Sequence, residues 1–267
     1  AFARFLFIMV LVSILSACAS IGPKSINRDQ LDYGQSIGQN WKNQLLALIQ
    51  SGYDSRLLFT WAVEAINGLR NYSVTAGDKR EPDPEFYEFV EHMRELQIKG
   101  GVAFQQSTDP ATKSEVIVFF RDISASEQVR EEGRQARSLI GLSPVRQKFR
   151  VVYSPFAFED DVLAIQTRSI LQIMIAMAGF VDVPDIKSSQ AFEGYVVSPG
   201  TQRPFFVHSG LDKPELSFAS TLYNGYWYWI DPTDLRSKQV FTLMLYLTTL
   251  TDSGGEDSNP VLTIPTG

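Results

Sequence analysis

Residues 160–180 read DDVLAIQTRSILQIMIAMAGF, and the interpretation of this stretch decides the architecture. Val162, Leu163, Ile165, Ile170, Leu171, Ile173, Met174, Ile175 and Met177 leave little polar surface. This pattern predicts one apolar helix from about Asp160 to Phe180, buried at the centre of the fold. Asp160, Asp161, Gln166 and Arg168 interrupt it, leaving about ten residues free of strong polarity where a membrane span needs roughly 20. Glu159-Asp160-Asp161 reads as the start of that helix, where carboxylates complement the macrodipole, rather than as an acid/base pair. Arg168 is the costly residue, because an unpaired guanidinium in apolar surroundings is strongly unfavourable. It is expected to form a buried ion pair; the alternative is that it points into a polar pocket.

Toward the C-terminus, 182–216 is rich in proline and loop residues, with short strands expected at 194–197 and 205–208. Ser217 to Tyr223, Asn224-Gly225 and Tyr226 to Ile230 then predict a β-hairpin with a type I′ turn, since both central residues tolerate positive φ. Asp231-Pro232-Thr233-Asp234 is expected to open a helix reaching about Leu250, with Asp231 as its cap and Lys238 paired to Asp234 four residues back. An acidic glycine loop and a strand at 261–264 close the chain.

Toward the N-terminus, 149–153 predicts a strand, preceded by a charged helix that Asp122 or Ser124 would cap and that runs to about Leu139. Val102 to Gln106 and Glu115 to Arg121 predict a hairpin joined by a turn through Asp109 and Pro110. Phe86, Phe89, Val90, Met93 and Leu96 mark an amphipathic helix stopped by Gly100-Gly101. A polar, proline-bearing break at 75–84 is a candidate subdomain joint. Before it, 55–69 reads as a helix, and Leu31, Ile37, Trp41, Leu45, Leu48 and Ile49 line one face of another that ends by Gly52.

The elements add up to an α+β (or α/β) fold, a mixed or antiparallel sheet covered by helices with one buried apolar helix. Residues 29–267 are expected to form a single globular domain. At 44% hydrophobic and 12% aromatic residues the chain can build a core without disulfides or metal. The formal charge of −6, and the lack of a basic stripe with interleaved aromatics, speak against a nucleic-acid partner.

The N-terminus carries an address. An apolar run from Phe5 to Leu15 follows Arg4, which suits the h-region and n-region of a signal peptide. Leu15-Ser16-Ala17-Cys18 resembles a lipobox, in which the cysteine is acylated and the preceding 1–17 is removed. The alternatives are a plain secretory signal cut near Ala17 to Ala19, or an uncleaved anchor. On the lipoprotein reading, residues 18–28 are a tether, several acyl chains such as palmitate give stable anchoring, and Ala19 in place of Asp implies the outer membrane by resemblance to enterobacterial sorting. Position 1 is not methionine, and further basic residues are expected ahead of it.

Several segments together resemble a proteobacterial family of outer-membrane lipoproteins without an assigned function. They are Asp32-Tyr33 through Gln44-Leu45-Leu46, Thr167-Arg168-Ser169-Ile170-Leu171 with Val183-Pro184, Asn224 through Asp231 with Asp234 and Ser237-Lys238, and the run from Pro260 to Pro265. The resemblance implies localisation and a shared fold but no chemistry.

No catalytic residue, cofactor or metal centre is expected. The chain has two histidines, His92 and His208, and one cysteine; no G-x-S-x-G elbow is present, and the acidic loop lacks the ligand spacing of a Ca²⁺ hand. Ser237 and Lys238, adjacent on a helix, project about 100° apart and do not make a nucleophile–base pair. The sharper candidate is the hairpin. Tyr226 and Tyr228 share one face, and Trp227 and Trp229 the other. The plainer reading sandwiches it between the core and the following helix; the other makes it a platform for an envelope protein or glycan, because Trp and Tyr offer flat contact area at low entropic cost. The expected role is that of a lipid-anchored, partner-binding or structural protein facing the periplasm. The rivals are a hydrolase, for which Arg168, Asp231 or His208 would have to meet in one cleft, and a small-ligand-binding protein with one deep apolar pocket.

Overall fold

The computed structural model describes residues 23–75, 78–107, 115–122, 125–184 and 204–252. In chain order its elements are α1 (Pro23–Gln50), α2 (Ser55–Ala62), β1 (Val63–Ile66), β2 (Leu69–Arg70), β3 (Ser73–Thr75), β4 (Asp78–Arg80), α3 (Pro84–Ile98), β5 (Val102–Gln106) and β6 (Val116–Phe120). Then follow α4 (Glu127–Leu139), β7 (Lys148–Tyr153), β8 (Val162–Thr167), α5 (Ile170–Ala178), β9 (His208–Gly210), β10 (Ala219–Tyr223), β11 (Tyr226–Ile230) and α6 (Leu235–Asp252). The fold is α+β. A six-stranded sheet, in the order β2-β1-β8-β7-β6-β5, is antiparallel except for the parallel β7–β8 pair.

The helix expected over 160–180 is two elements. Its first half is β8, where Val162, Leu163, Ala164, Ile165 and Thr167 are all buried in the middle of the sheet. A strand buried on both faces and a buried helix are equally apolar, so composition does not separate them. The separating signal is Ser169-x-x-Gln172. The Ser169 hydroxyl accepts from the Gln172 amide while the Gln172 side chain accepts from the Ser169 amide, a capping box that starts a fresh helix. The helix that follows, α5, buries Ile173, Ala176 and Met177 but leaves Leu171 and Met174 exposed.

Glu159, Asp160 and Asp161 correspondingly do not open a helix. They lie in the eight-residue connection, 154–161, that returns the chain from the end of β7 to pair beside its start. Parallel neighbours are usually joined by a crossover helix. Here Arg150 Nη2 holds Glu159 at 2.6 Å and Asp161 at 3.5 Å, and Arg146 holds Asp161 at 3.6 Å.

A second correction concerns 55–69. The chain is helical only to Ala62, then becomes β1, turns at Asn67-Gly68 and returns as β2. Asn67 and Gly68 have φ of 46° and 89°, a two-residue hairpin loop of the kind that Asn-Gly favours. The Asn67 side chain also accepts from the Ala164 amide and donates to Ile140 O, at 2.6 and 2.9 Å.

Other expectations hold in outline. The β5–β6 hairpin and β7 lie where expected, and α3 buries Phe86, Phe89, Val90, Met93 and Leu96. The stretch from 75 to 84 carries part of the β3–β4 ribbon, and Pro84 begins α3. Ser126, rather than Asp122 or Ser124, caps α4. Ile37 is 52% exposed rather than part of the buried face of α1, and α1 already begins at Pro23, inside the expected tether. The segments at 1–22, including Cys18, and at 194–197 and 261–264, with the turn at Asp109-Pro110, lie outside the described residues.

α1 packs on β5, β7 and β8. Gly38 permits this approach, since a Cβ there would lie 2.3 Å from the Tyr153 ring. Beside it Lys42 is fully buried, its Nζ donating to Val151 O. Burial lowers its pKa to about 8, partly opposed by the charge of Glu115. The unfolded chain, with an ordinary lysine near 10.5, binds more protons between these values, so this group's contribution to stability rises with pH across that window. Relative to Lys42→Met, the wild type should gain up to about 3 kcal/mol between pH 8 and 10.5. Urea unfolding of both proteins at each pH measures this; a constant difference would show that Lys42 keeps an ordinary pKa.

Candidate functional site

Arg168 sits between β8 and α5 and is 2% exposed. Its Nε donates to Glu64 Oε2 at 2.9 Å, its Nη2 to Tyr72 O, and its Nη1 approaches the Thr60 and Trp61 carbonyls at 3.4 Å. The guanidinium lies over the Tyr72 ring, 4.4 Å from its centroid. Glu64 is shared, its other oxygen accepting from Arg80 at 2.9 Å. Asn71, also buried, donates to Thr60 O and Val63 O, and accepts from Tyr87 Oη at 3.2 Å. Trp41 Nε1 reaches Arg168 O at 2.9 Å, which ties α1 into the same knot. This constellation has the character of a structural tie, since its polar groups satisfy one another within the core.

The hairpin is built as the sequence reads. All five residue pairs of β10–β11 are in register around Asn224 and Gly225, whose φ values are 51° and 82°. β9 pairs on the other side of β11, completing a three-stranded sheet. Neither aromatic face is core. Tyr226, Trp227, Tyr228 and Trp229 are all half-buried, and only Ile230, at 2% exposure, is sealed. The sandwiched hairpin is thus corrected: the sheet is rooted at Ile230, whose carbonyl accepts from Phe218 N, and at a Phe218–Phe241 edge contact with α6. Toward the turn Leu222 and Tyr223 are 57% and 65% exposed. On the tryptophan face His208 stacks on Trp229 at 5.4 Å and Lys213 lies 5.4 Å above Trp227.

Asp231 does not cap the last helix. Its carboxylate accepts from the Thr233 amide and hydroxyl at 2.7 and 2.6 Å, and the Thr233 contacts hold its pKa below the usual range. Asp234 caps instead, accepting from Ser237 N and Oγ at 3.0 and 2.6 Å. Lys238 turns from Asp234 to Pro232 O at 3.1 Å and lies 5.3 Å from the Phe218 ring. Ser237, buried, accepts from the Phe206 amide on its hydroxyl oxygen. His92 Nδ1 meets Glu132 at 2.6 Å between α3 and α4.

A cleft of about 430 Å³ opens between α2, α3 and the start of α6, with Trp61, Tyr72, Tyr87 and Phe180 among its lining residues. A shallower one of about 610 Å³ adjoins it, shares Asp54, Leu57 and Gln239, and reaches Phe218 at the hairpin root. Arg168, Asp231 and His208 line neither cleft. Sequence reasoning missed these walls, as it missed Arg137, a fully buried cation held by Asp122 at 3.1 Å and Pro144 O at 3.0 Å. No periodicity signals either feature. Among the described residues, no group of three or more His, Cys, Asp or Glu could hold a metal ion, and no helix is long and apolar enough to cross a membrane.

Comparison of the chain with protein-family models, curated proteins and solved structures returned no match.

Arg168→Leu removes the donor for several buried acceptors and strands Glu64 beside Arg80. It should destabilise the protein by about 3 kcal/mol. Glu64→Leu in the same chain should not restore wild-type stability, because the carbonyls of Trp61 and Tyr72 still lose the guanidinium, while Thr60 O keeps only Asn71. Chemical denaturation of the single and double variants reads both effects; an unchanged midpoint for Arg168→Leu would disprove the tie.

Proposed function

We propose that this chain is a lipid-anchored envelope lipoprotein, held by acylated Cys18 at the periplasmic face of the outer membrane, which binds a partner protein through its aromatic hairpin. The observation that carries the reading is that Tyr226, Trp227, Tyr228 and Trp229 are only half-buried, on both faces of a sheet whose only sealed root residue is Ile230. Four adjacent large aromatics left partly in water cost the free protein solvation that a protein interface recovers. Tyr and Trp are also the residue types that concentrate interface energy. Leu211, Leu216 and Phe218, exposed on the strands' flanks, enlarge the apolar surface. Binding rather than hydrolysis is favoured because Arg168 is spent in the buried tie with Glu64, and neither it nor Asp231 nor His208 lines either cleft.

Two experiments test the two halves of this reading. Cys18→Ala should move the protein from the membrane fraction to the soluble periplasm and abolish fatty-acid labelling; membrane retention without label would refute the anchor. Trp227→Ala/Trp229→Ala and Tyr226→Ala/Tyr228→Ala should each cost about 1 kcal/mol or less per residue, against about 3 to 5 kcal/mol for truncating the buried Trp61. At least one of these double variants should lose the partner that wild type crosslinks through a photoreactive residue at Tyr223 in intact envelopes. If both unfold the domain, or both retain the crosslink, the platform is excluded.

A further inference from the structure

We propose that the 430 Å³ cleft beneath α2 and α6 is a binding site for a small molecule with a flat apolar body and one anionic group. The inference rests on the cleft alone and not on the hairpin or the anchor.

The volume falls within the range of small-ligand sites. The floor is aromatic and dry in character. Trp61, Tyr72 and Phe180 line it while being only 1%, 2% and 4% exposed, and Trp61 packs edge-on against Phe180 at 5.8 Å. Such a floor suits a planar apolar body.

The rim supplies the charge preference. Arg56 is shared between Asp54 and Glu91, at 3.9 and 3.6 Å, and Arg94 adds a second cation to Asp54 at 3.4 Å. Arg236, exposed on the first turn of α6, faces the same cleft and carries no ion pair or hydrogen bond among the described residues. Under the floor, Glu64 is divided between Arg80 and Arg168. Two arginines and two carboxylates line the cleft; Arg56 is held by both Asp54 and Glu91, which leaves the Arg236 guanidinium available to a ligand. A guanidinium with free donors beside low-dielectric walls pairs a carboxylate, sulfonate or phosphate in a bidentate manner. Thr60 and Gln239, also on the lining, offer polar contacts for orientation.

The test uses two fluorescent probes of one shape: anilinonaphthalene sulfonate, which carries the anion, and phenylnaphthylamine, which lacks it. Purified wild-type protein should bind the sulfonate at one saturable site with a blue-shifted emission, several-fold tighter than the neutral probe. Arg236→Glu should weaken sulfonate binding at least tenfold and leave the neutral probe unchanged, which also reports an intact cleft. Arg236→Lys should fall between. Gln239→Trp, an exposed helix position where a large ring fills the space, should weaken both probes. Trp227→Ala/Trp229→Ala should alter neither, which separates the cleft from the hairpin. The proposal is overturned if the sulfonate does not bind, if Arg236→Glu leaves its affinity unchanged, if Gln239→Trp has no effect, or if the hairpin variant abolishes the signal.

Discussion

The rest of the structure depends on how α2 ends. A helix leaves its last carbonyls without intrahelical partners, and α2 passes into β1 at Ala62–Val63 with no loop in which water or a glycine cap could serve them. Arg168 and Asn71 do so from outside. The Arg168 amide donates to Ala62 O, its guanidinium approaches Thr60 O and Trp61 O, and the Asn71 side chain takes Thr60 O and Val63 O. A cation at a helix C-terminus is also placed favourably in the helix dipole. Since Arg168 follows directly on β8, the same contact that ends α2 aligns β1 against β8. Trp41 then brings α1 over the junction.

Among the described residues three cations are fully or almost fully buried, Lys42, Arg137 and Arg168, and they share one device. Each donates to a backbone carbonyl in a segment distant in sequence or outside its own element: Val151, Pro144 and Tyr72 respectively. Arg168 and Arg137 also have carboxylates, Glu64 and Asp122, and aromatic rings, Tyr72 and Phe120. Lys42 has a carbonyl but no close carboxylate among its described bonds, and burial lowers its pKa to about 8. Desolvation dominates where pairing is weak.

What was legible in the sequence follows from the range of the interactions. Asn224-Gly225 announces a two-residue turn because the requirement for positive φ is local, and the hairpin around it has the expected register. Asn67-Gly68 carries the same signal, but the helical spacing of Leu58, Trp61, Ala62 and Ala65 points the other way across the real boundary at Ala62. The β8–α5 boundary is invisible to hydropathy, since both halves are apolar; only the small Ser169–Gln172 box marks it. Arg168 could be recognised as a residue that needs a partner, because the cost of burying charge is general. That the partner is Glu64, 104 residues away, depends on the sheet order β2-β1-β8 and has no local trace. The cleft is less legible still, being a gap between α2, α3 and α6 that only their packing defines.

The division of labour between the two sheets bears on function. In the larger sheet, buried apolar residues such as Val118, Phe149, Val151, Leu163 and Ile165 join one continuous core. From the smaller sheet only Ile230 belongs to that core. Folding therefore accounts for the apolar character of the first sheet and not for that of the second. An isolated hairpin is only marginally stable in water, and here Phe218 against Phe241 and Ile230 against the core fix the three-stranded sheet at one end while the turn end stays exposed. Rigid attachment matters for recognition, because a platform already ordered before contact loses less conformational freedom when it binds. The shallower cleft lies at that same rigid root, and the proposed ligand cleft is lined by Arg236 and Gln239, so an occupant of the latter and a partner on the hairpin would both lean on α6. Coupling between them requires each to bias that helix between distinct arrangements. Val240, Leu243 and Leu247, all buried in the core, hold α6 in the arrangement on which the hairpin root rests.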